Sequence, residues 1–149
     1  MSSRTYDHIV IGGGTAGCLL ANRLSADPAV TVALLEAGPP DSDPAIRIPA
    51  MVAKAIGNPR NSWGYKSAPQ AHADGRVLPV PRGRVLGGCS SINGMVYMRG
   101  QEGDFDDWRD AGNPGWGWAD VLPYFKKSED HCWGASEHHG AGGELHVSD

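Results

Sequence analysis

Gly12-x-Gly14-x-x-Gly17 is the feature that most restricts the fold of this chain, because of what lies on either side of it. "HIVI" (His8 to Ile11) runs straight into Gly12 with no polar alternation, as expected of a parallel strand covered on both faces. Thr15 to Leu24 then places Ala16, Leu19, Leu20 and Leu24 on one helical face, and after "DPAV" the run Thr31 to Gly38 is again β-rich. Strand, glycine turn, helix and strand in about 30 residues make a βαβ unit, whose crossover should be right-handed. In such a unit Gly12 permits the tight turn off the strand, Gly14 lets backbone approach a pyrophosphate, and Gly17 lets helix and strand pack closely. Free N–H groups at the positive end of the helix, around Thr15 and Ala16, are suited to phosphate oxygens.

Glu36 stands at the end of the second strand, 24 residues after Gly12. There its carboxylate can accept hydrogen bonds from both hydroxyls of an adenosine ribose, and it would repel a phosphate on that ribose, which disfavours NADP. The bland alternative is a solvated strand-end acid beside glycines that serve an unrelated turn. It requires strand, spacing, helix and acid to coincide, so an ADP moiety is the better expectation.

Composition narrows the remaining classes. The chain has 149 residues, one domain's worth or a piece of something larger. Its 21 glycines and 11 prolines exceed the roughly 12% of an average domain and follow no repeat, so they mark turns and close backbone approaches rather than collagen. A net charge of −4 argues against a nucleic-acid binder, and "PRGR" at Pro81 to Arg84 is too short to alter that. Three widely spaced cysteines, Cys18, Cys89 and Cys132, imply no disulfide framework, so a reducing, cytoplasmic setting is the simpler expectation. The apolar run at the N-terminus is too short for a signal peptide or a membrane span.

Beyond Glu36 the chain enters "PPDSDPA", then a short apolar segment, Ile46 to Ile56, with helical character. Trp63 and Tyr65 sit among turn residues, where aromatics more often cap a core edge than line a cofactor. "RVLPVPRG" suits a short edge strand, since Pro79 and Pro81 exclude a central place in a sheet. Gly87-Gly88, followed by Cys89, Ser90 and Ser91, offers small side chains and exposed N–H groups. Such a loop can lie against phosphates or a planar ring, or it can simply lead into an apolar helix. Val121, Leu122, Tyr124 and Phe125 belong to a helix broken at Pro123 or starting near it, and Trp116 and Trp118 read as packing residues. His131, Cys132, His138, His139 and His146 lack a compact zinc spacing, so no metal is expected and a solvated loop is.

Taken together, "YDHIVIGGGTAGCLLANRLS", "VALLEAG", "NSWGYKSAPQ", "PRGRVLGGCSSINGMVYMRG", "DFDDWRDAGNPGWGWADVLPYFKKSED" and "GAGGELHVSD" resemble, in order, the glucose–methanol–choline family of flavoprotein alcohol oxidoreductases, and most closely its choline-dehydrogenase-type members. The likeness runs over essentially the whole chain from Tyr6. It implies an α/β fold: an FAD/NAD(P)-binding Rossmann-like domain, incomplete, with a loop-rich extension toward a substrate domain. Residues 1–130 would be the N-terminal part of the FAD-binding domain with its flavin-contacting loops, and residues 131–149 the start of the substrate domain.

The resemblance further implies FAD at Gly12, Gly14, Thr15, Ala16 and Gly17, with Glu36 and Ala37 at the adenosine ribose. It puts Val85, Gly88, Cys89, Asn93, Gly94, Met95 and Val96 along the pyrophosphate and flavin. Some members attach the flavin to a histidine that here is Ile92, so FAD should be held non-covalently. The implied reaction is oxidation of a small-molecule alcohol to an aldehyde, with electrons passing to oxygen, a quinone or another carrier. The family's catalytic histidine lies near its C-terminus, so no catalytic residue is expected before Asp149. A nicotinamide-dependent dehydrogenase would continue with further βαβ units instead of proline-rich loops. A non-catalytic ADP- or flavin-binding module is the reading if these residues are the whole product.

Overall fold

In the computed structural model, which describes residues 4–148, the first strand and helix form where the glycine spacing places them. β1 (His8–Ile11) pairs in parallel with β2 (Val32–Leu35), in the register His8 with Val32 through Ile11 with Leu35, and α1 (Thr15–Leu24) connects them. The register is locked at its entrance. Asp7 donates its N–H to the Thr31 carbonyl at 3.0 Å, and its carboxylate accepts from the Thr31 N–H at 2.8 Å and hydroxyl at 2.7 Å. β2 is shorter than the Thr31 to Gly38 run because the chain turns at Glu36 and Gly38, which are tied together. Among the described residues the two-stranded sheet is not covered on both faces, in keeping with an incomplete domain. Ile9 and Ile11 are 62% and 85% exposed, and every residue of α1 stays at least partly accessible.

The described chain forms two compact units, which meet in sequence between Val96 and Tyr97. The core of the first is built from residues that follow β2. Asp43 caps α2 (Pro44–Arg47) by accepting from the Ala45 N–H at 2.9 Å, while Asn58 and Asn61 donate to its other oxygen at 2.8 and 2.7 Å. Pro49 has no N–H with which to continue that helix, so the Ile46 to Ile56 segment folds as α2, a 3₁₀ turn at Pro49–Met51, and α3 (Val52–Gly57). Ala45, Ala55, Val85 and Ile92 are buried together, with Ile46, Met51 and Ile56 against them. β3 (Tyr65–Lys66) pairs antiparallel with β4 (Pro79–Val80), and the prolines keep β4 short, as the sequence suggests. After a 3₁₀ turn at Gly88–Ser91, residues 92–100 form no helix, which removes the apolar-helix alternative.

In the second unit, α4 (Glu102–Asp110) opens with a reciprocal capping box between Gln101 and Asp104. α5 (Trp118–Ser128) starts well before Pro123 and accommodates it without interruption. Phe105, Trp108, Trp116, Trp118 and Phe125 form one ring cluster with centroid spacings of 5.5 to 6.3 Å, so Trp116 and Trp118 are packing residues as expected. β5 (Glu129–His131) pairs in parallel with β6 (Leu145–Val147). Residue 130, the boundary that the family resemblance implies between cofactor portion and substrate portion, is the middle of β5. No helix among the described residues is long and apolar enough to cross a membrane.

Candidate functional site

Two glycine loops far apart in sequence meet beside the start of α1. The Gly87 N–H donates to the Gly13 carbonyl at 2.7 Å, and a bridge joins Gly14 to Gly87. The approach is close enough that a Cβ on Gly88, whose φ is +58°, would lie 2.8 Å from the Gly14 Cα. Gly17 is as constrained: a Cβ there would stand 1.8 Å from the Gly12 carbonyl oxygen. Gly14 differs from its expected role in one respect. Its φ is −78°, and a Cβ would meet only the Gly88 Cα at 3.8 Å, so the protein itself leaves room for a small side chain there.

As the residue before α1, Gly14 has no side chain with which to cap the helix, and the first turn carries no acidic residue. The start of α1 therefore keeps its partial positive charge, and its first-turn residues Thr15, Ala16 and Gly17 lie on the groove wall. Such an end is chemically suited to an anion.

Glu36 closes the other side. One carboxylate oxygen accepts from the Gly13 N–H at 2.7 Å, the other from the Gly38 N–H at 2.8 Å. The acid is thus a clasp between the glycine turn and the turn after β2, a structural duty that spacing alone does not reveal. Each carboxylate oxygen retains a second lone-pair direction, so the clasp does not preclude a ligand hydroxyl. Gly38 in turn is pressed on the Arg84 carbonyl, which a Cβ would approach to 2.1 Å, and the Leu86 N–H donates to the Pro39 carbonyl at 2.9 Å.

These contacts frame a groove of about 1040 Å³. Of the residues marked from the sequence, Gly12, Gly14, Thr15, Ala16, Gly17, Glu36, Ala37, Gly88 and Cys89 line it. Val85 does not; it is fully buried in the core. Asn93, Gly94, Met95 and Val96 also lie off the groove wall, in an exposed stretch where the Asn93 side chain accepts from the Met95 N–H at 2.9 Å. Trp63, Tyr65, Arg82 and Gly83 are wall residues that sequence reasoning missed. Trp63 and Tyr65 stack with planes 4° apart and centroids 5.9 Å apart, and both are about half exposed, so their expected place at a core edge is corrected. The available signal was their spacing of two around a glycine in an extended stretch.

The C-terminal histidines are not all in a solvated loop. His139 bonds through Nδ1 to the Glu129 carboxylate at 3.0 Å, and its ring lies 4.1 Å from that of His131. Glu129, His131 and His139 could geometrically share a metal. However, the fully buried Glu129 is already matched by the Arg99 guanidinium and by the Gly140 N–H. Burial pushes its carboxyl up, yet the Gly140 N–H, His139 and Arg99 together hold it below the ordinary range. With its charge neutralised by Arg99, the cluster is a closed ion pair rather than an open ligand set.

Comparison with known proteins gives the chain its relatives. A family model described as GMC oxidoreductase matches residues 6–149. An alcohol dehydrogenase [acceptor] of Pseudomonas putida is 50% identical over 145 residues, which are 97% of this chain and 26% of that protein. An oxygen-dependent choline dehydrogenase of Sinorhizobium fredii is 49% identical over 141 residues, 95% of this chain and 26% of that protein. The crystal structure of pyridoxine 4-oxidase from "Mesorbium loti" superposes with a TM-score of 0.87 at 44% identity, covering 95% of this chain and 28% of that one. The chain thus spans about a quarter of the length of the relatives it matches. Its α/β architecture and its ordered segments belong to the same set, and the chain is a member of the GMC oxidoreductase family.

Proposed function

We propose that the parent protein is an FAD-dependent oxidoreductase that acts on the CH–OH group of a small alcohol, and that these residues supply the ADP side of its cofactor site. The observation that carries the reading is the meeting of the Gly13–Gly14 and Gly87–Gly88 loops at the uncapped start of α1. The residues fit the group. Backbone approaches where only glycine can stand, the uncapped first turn of α1 lines the groove, and Glu36 keeps acceptor capacity for a ribose hydroxyl. Gly12, Gly14, Thr15, Ala16, Gly17 and Gly88 would hold the pyrophosphate, with Glu36 and Ala37 at the ribose. Asn93 to Val96 are assigned to the flavin side on family resemblance. When bound, FAD supplies a two-electron hydride acceptor, and the protein's share is orientation and electrostatics. The relatives are named for alcohol, choline and pyridoxine, all of which carry a hydroxyl group, and this supports oxidation of a primary alcohol to an aldehyde.

Ile92 supports non-covalent attachment: it is 4% exposed, packed among Ala45, Ala55 and Val85, and its side chain is hydrocarbon. The test is purification of the full-length protein, acid precipitation, and anaerobic mixing with primary alcohols. Yellow chromophore should appear in the supernatant as FAD, and alcohol should bleach the bound flavin. Flavin that stays in the pellet defeats the non-covalent assignment, while reduction of added NAD without flavin defeats the cofactor itself.

A further inference from the structure

Arg84 is held in a pose that its hydrogen bonding alone does not explain. Its Nε is buried and has no hydrogen-bond partner among the described residues. One terminal nitrogen makes only long contacts, 3.4 Å to the Pro59 carbonyl and 3.5 Å to the Arg60 carbonyl. A buried N–H left unpaired costs free energy, and a native structure keeps such a group where the pose serves something else. Here the guanidinium lies over the Trp63 ring, 5.6 Å from its centroid. Arg84 is also fixed at its own backbone. Its N–H donates to the Asn61 carbonyl at 2.8 Å, and the Trp63 N–H donates to the Arg82 carbonyl at 3.0 Å, so the two segments are laced together around the stacked pair. Trp63 is 45% exposed and lines the groove. An aromatic ring so exposed has few neighbours to fix its plane: Tyr65 stacks beside it, and Arg84 packs over its face.

We infer that Arg84 is a positioning residue: it sets the plane of Trp63 so that the groove offers a flat aromatic wall to the adenine ring of an ADP-containing ligand. This rests on the FAD reading. Adenine is chosen over the flavin ring because Trp63 shares its groove with Glu36 and the start of α1, the parts assigned to ribose and pyrophosphate. Arg84 is not on the groove wall, so it acts through Trp63 and not by contact.

The experiment uses the full-length protein freed of cofactor, with ADP, inorganic pyrophosphate and FMN each competing against FAD. Arg84→Lys keeps the charge and loses the planar stack. ADP affinity should fall about fivefold, the scale of a partly desolvated cation–π contact, with pyrophosphate unchanged to within about twofold. Trp63→Leu, which touches none of the Arg84 hydrogen bonds, should lose at least as much for ADP. Adding Arg84→Lys to it should cost nothing further, because the wall is already gone. Equal losses for ADP and pyrophosphate would mean general damage to the groove and would overturn the inference. So would multiplicative effects in the double variant, or a loss confined to FMN. If the wild-type protein binds neither ADP nor FAD, the cofactor reading itself falls. If it binds both and Arg84→Lys binds ADP normally, only the role of Arg84 falls.

Discussion

Replacing Glu36 by glutamine separates a carboxylate that builds the site from one that only touches a ligand. In the wild-type protein the two oxygens accept from Gly13 and Gly38 at 2.7 and 2.8 Å. Hydrogen bonds to a charged acceptor contribute about 1.5–3 kcal/mol each, and these partly buried ones belong at the low end, about 3 kcal/mol together. Glutamine has one carbonyl and one NH₂, so it can satisfy one N–H only by turning a donor toward the other. Alanine leaves both N–H groups to water, which can enter a partly buried site. Glu36→Gln should therefore be no better than Glu36→Ala, although it is the closer isostere. Amide hydrogen exchange of the cofactor-free full-length protein reads this locally. Protection at whichever of Gly13 and Gly38 faces the new NH₂ should fall by about 10-fold, the equivalent of one lost bond of about 1.5 kcal/mol. Unchanged protection in Glu36→Gln would refute the clasp. Unchanged protection with loss of FAD binding would return Glu36 to a ligand contact alone.

Gly17→Ala should destabilise the fold or prevent it, because its Cβ would fall 1.8 Å from the Gly12 oxygen. Gly14→Ala, with 3.8 Å of clearance, should melt within a few degrees of wild type yet bind FAD more weakly, a contrast that thermal scans and flavin fluorescence titration can check. The Asp43 carboxyl is held below its ordinary 3.8, first by the Ala45 N–H and next by the Asn61 amide. Its folded form favours the ionised state, so its contribution is complete above that ordinary value and is lost as pH falls through the lower folded value. Urea midpoints should show a wild-type advantage over Asp43→Asn at neutral pH that shrinks below about pH 4, and a constant gap would contradict the assignment.

The parts of the site legible in the sequence are those written locally. The βαβ unit follows from an apolar run, three glycines and a helical face within some 30 residues, and Gly17 needs only its own turn to explain it. What escaped depends on pairings between distant segments. Trp63, Tyr65 and Arg82 become a wall because the chain around Ser62 to Lys66 pairs with Pro79 to Gly83. No short-range period announces that. Val85, which the family resemblance puts along the cofactor, lies off the groove wall for a related reason: the chain turns its side chain into the core with Ala45 and Ala55. His131 and His139 looked solvated because their partner, Glu129, is reached only once α5 passes into β5.

The bridge between Gly14 and Gly87 also has a kinetic meaning. The joined residues are 73 apart in sequence. Closing a flexible loop of that length costs about 4 kcal/mol in chain entropy, and few contacts accrue at the junction itself, where the partners are glycines. Local structure such as α1 can form on its own timescale, but the groove exists only after the distant loop has arrived. A ligand that grips both loops binds the closed chain and not the open one, and at a hundredfold excess over its dissociation constant it adds about 2.7 kcal/mol to the closed form. Under the FAD reading, cofactor supply during synthesis then governs how much of the chain reaches the closed state. Under that reading the flavin would serve as a template for assembly before it serves as an oxidant.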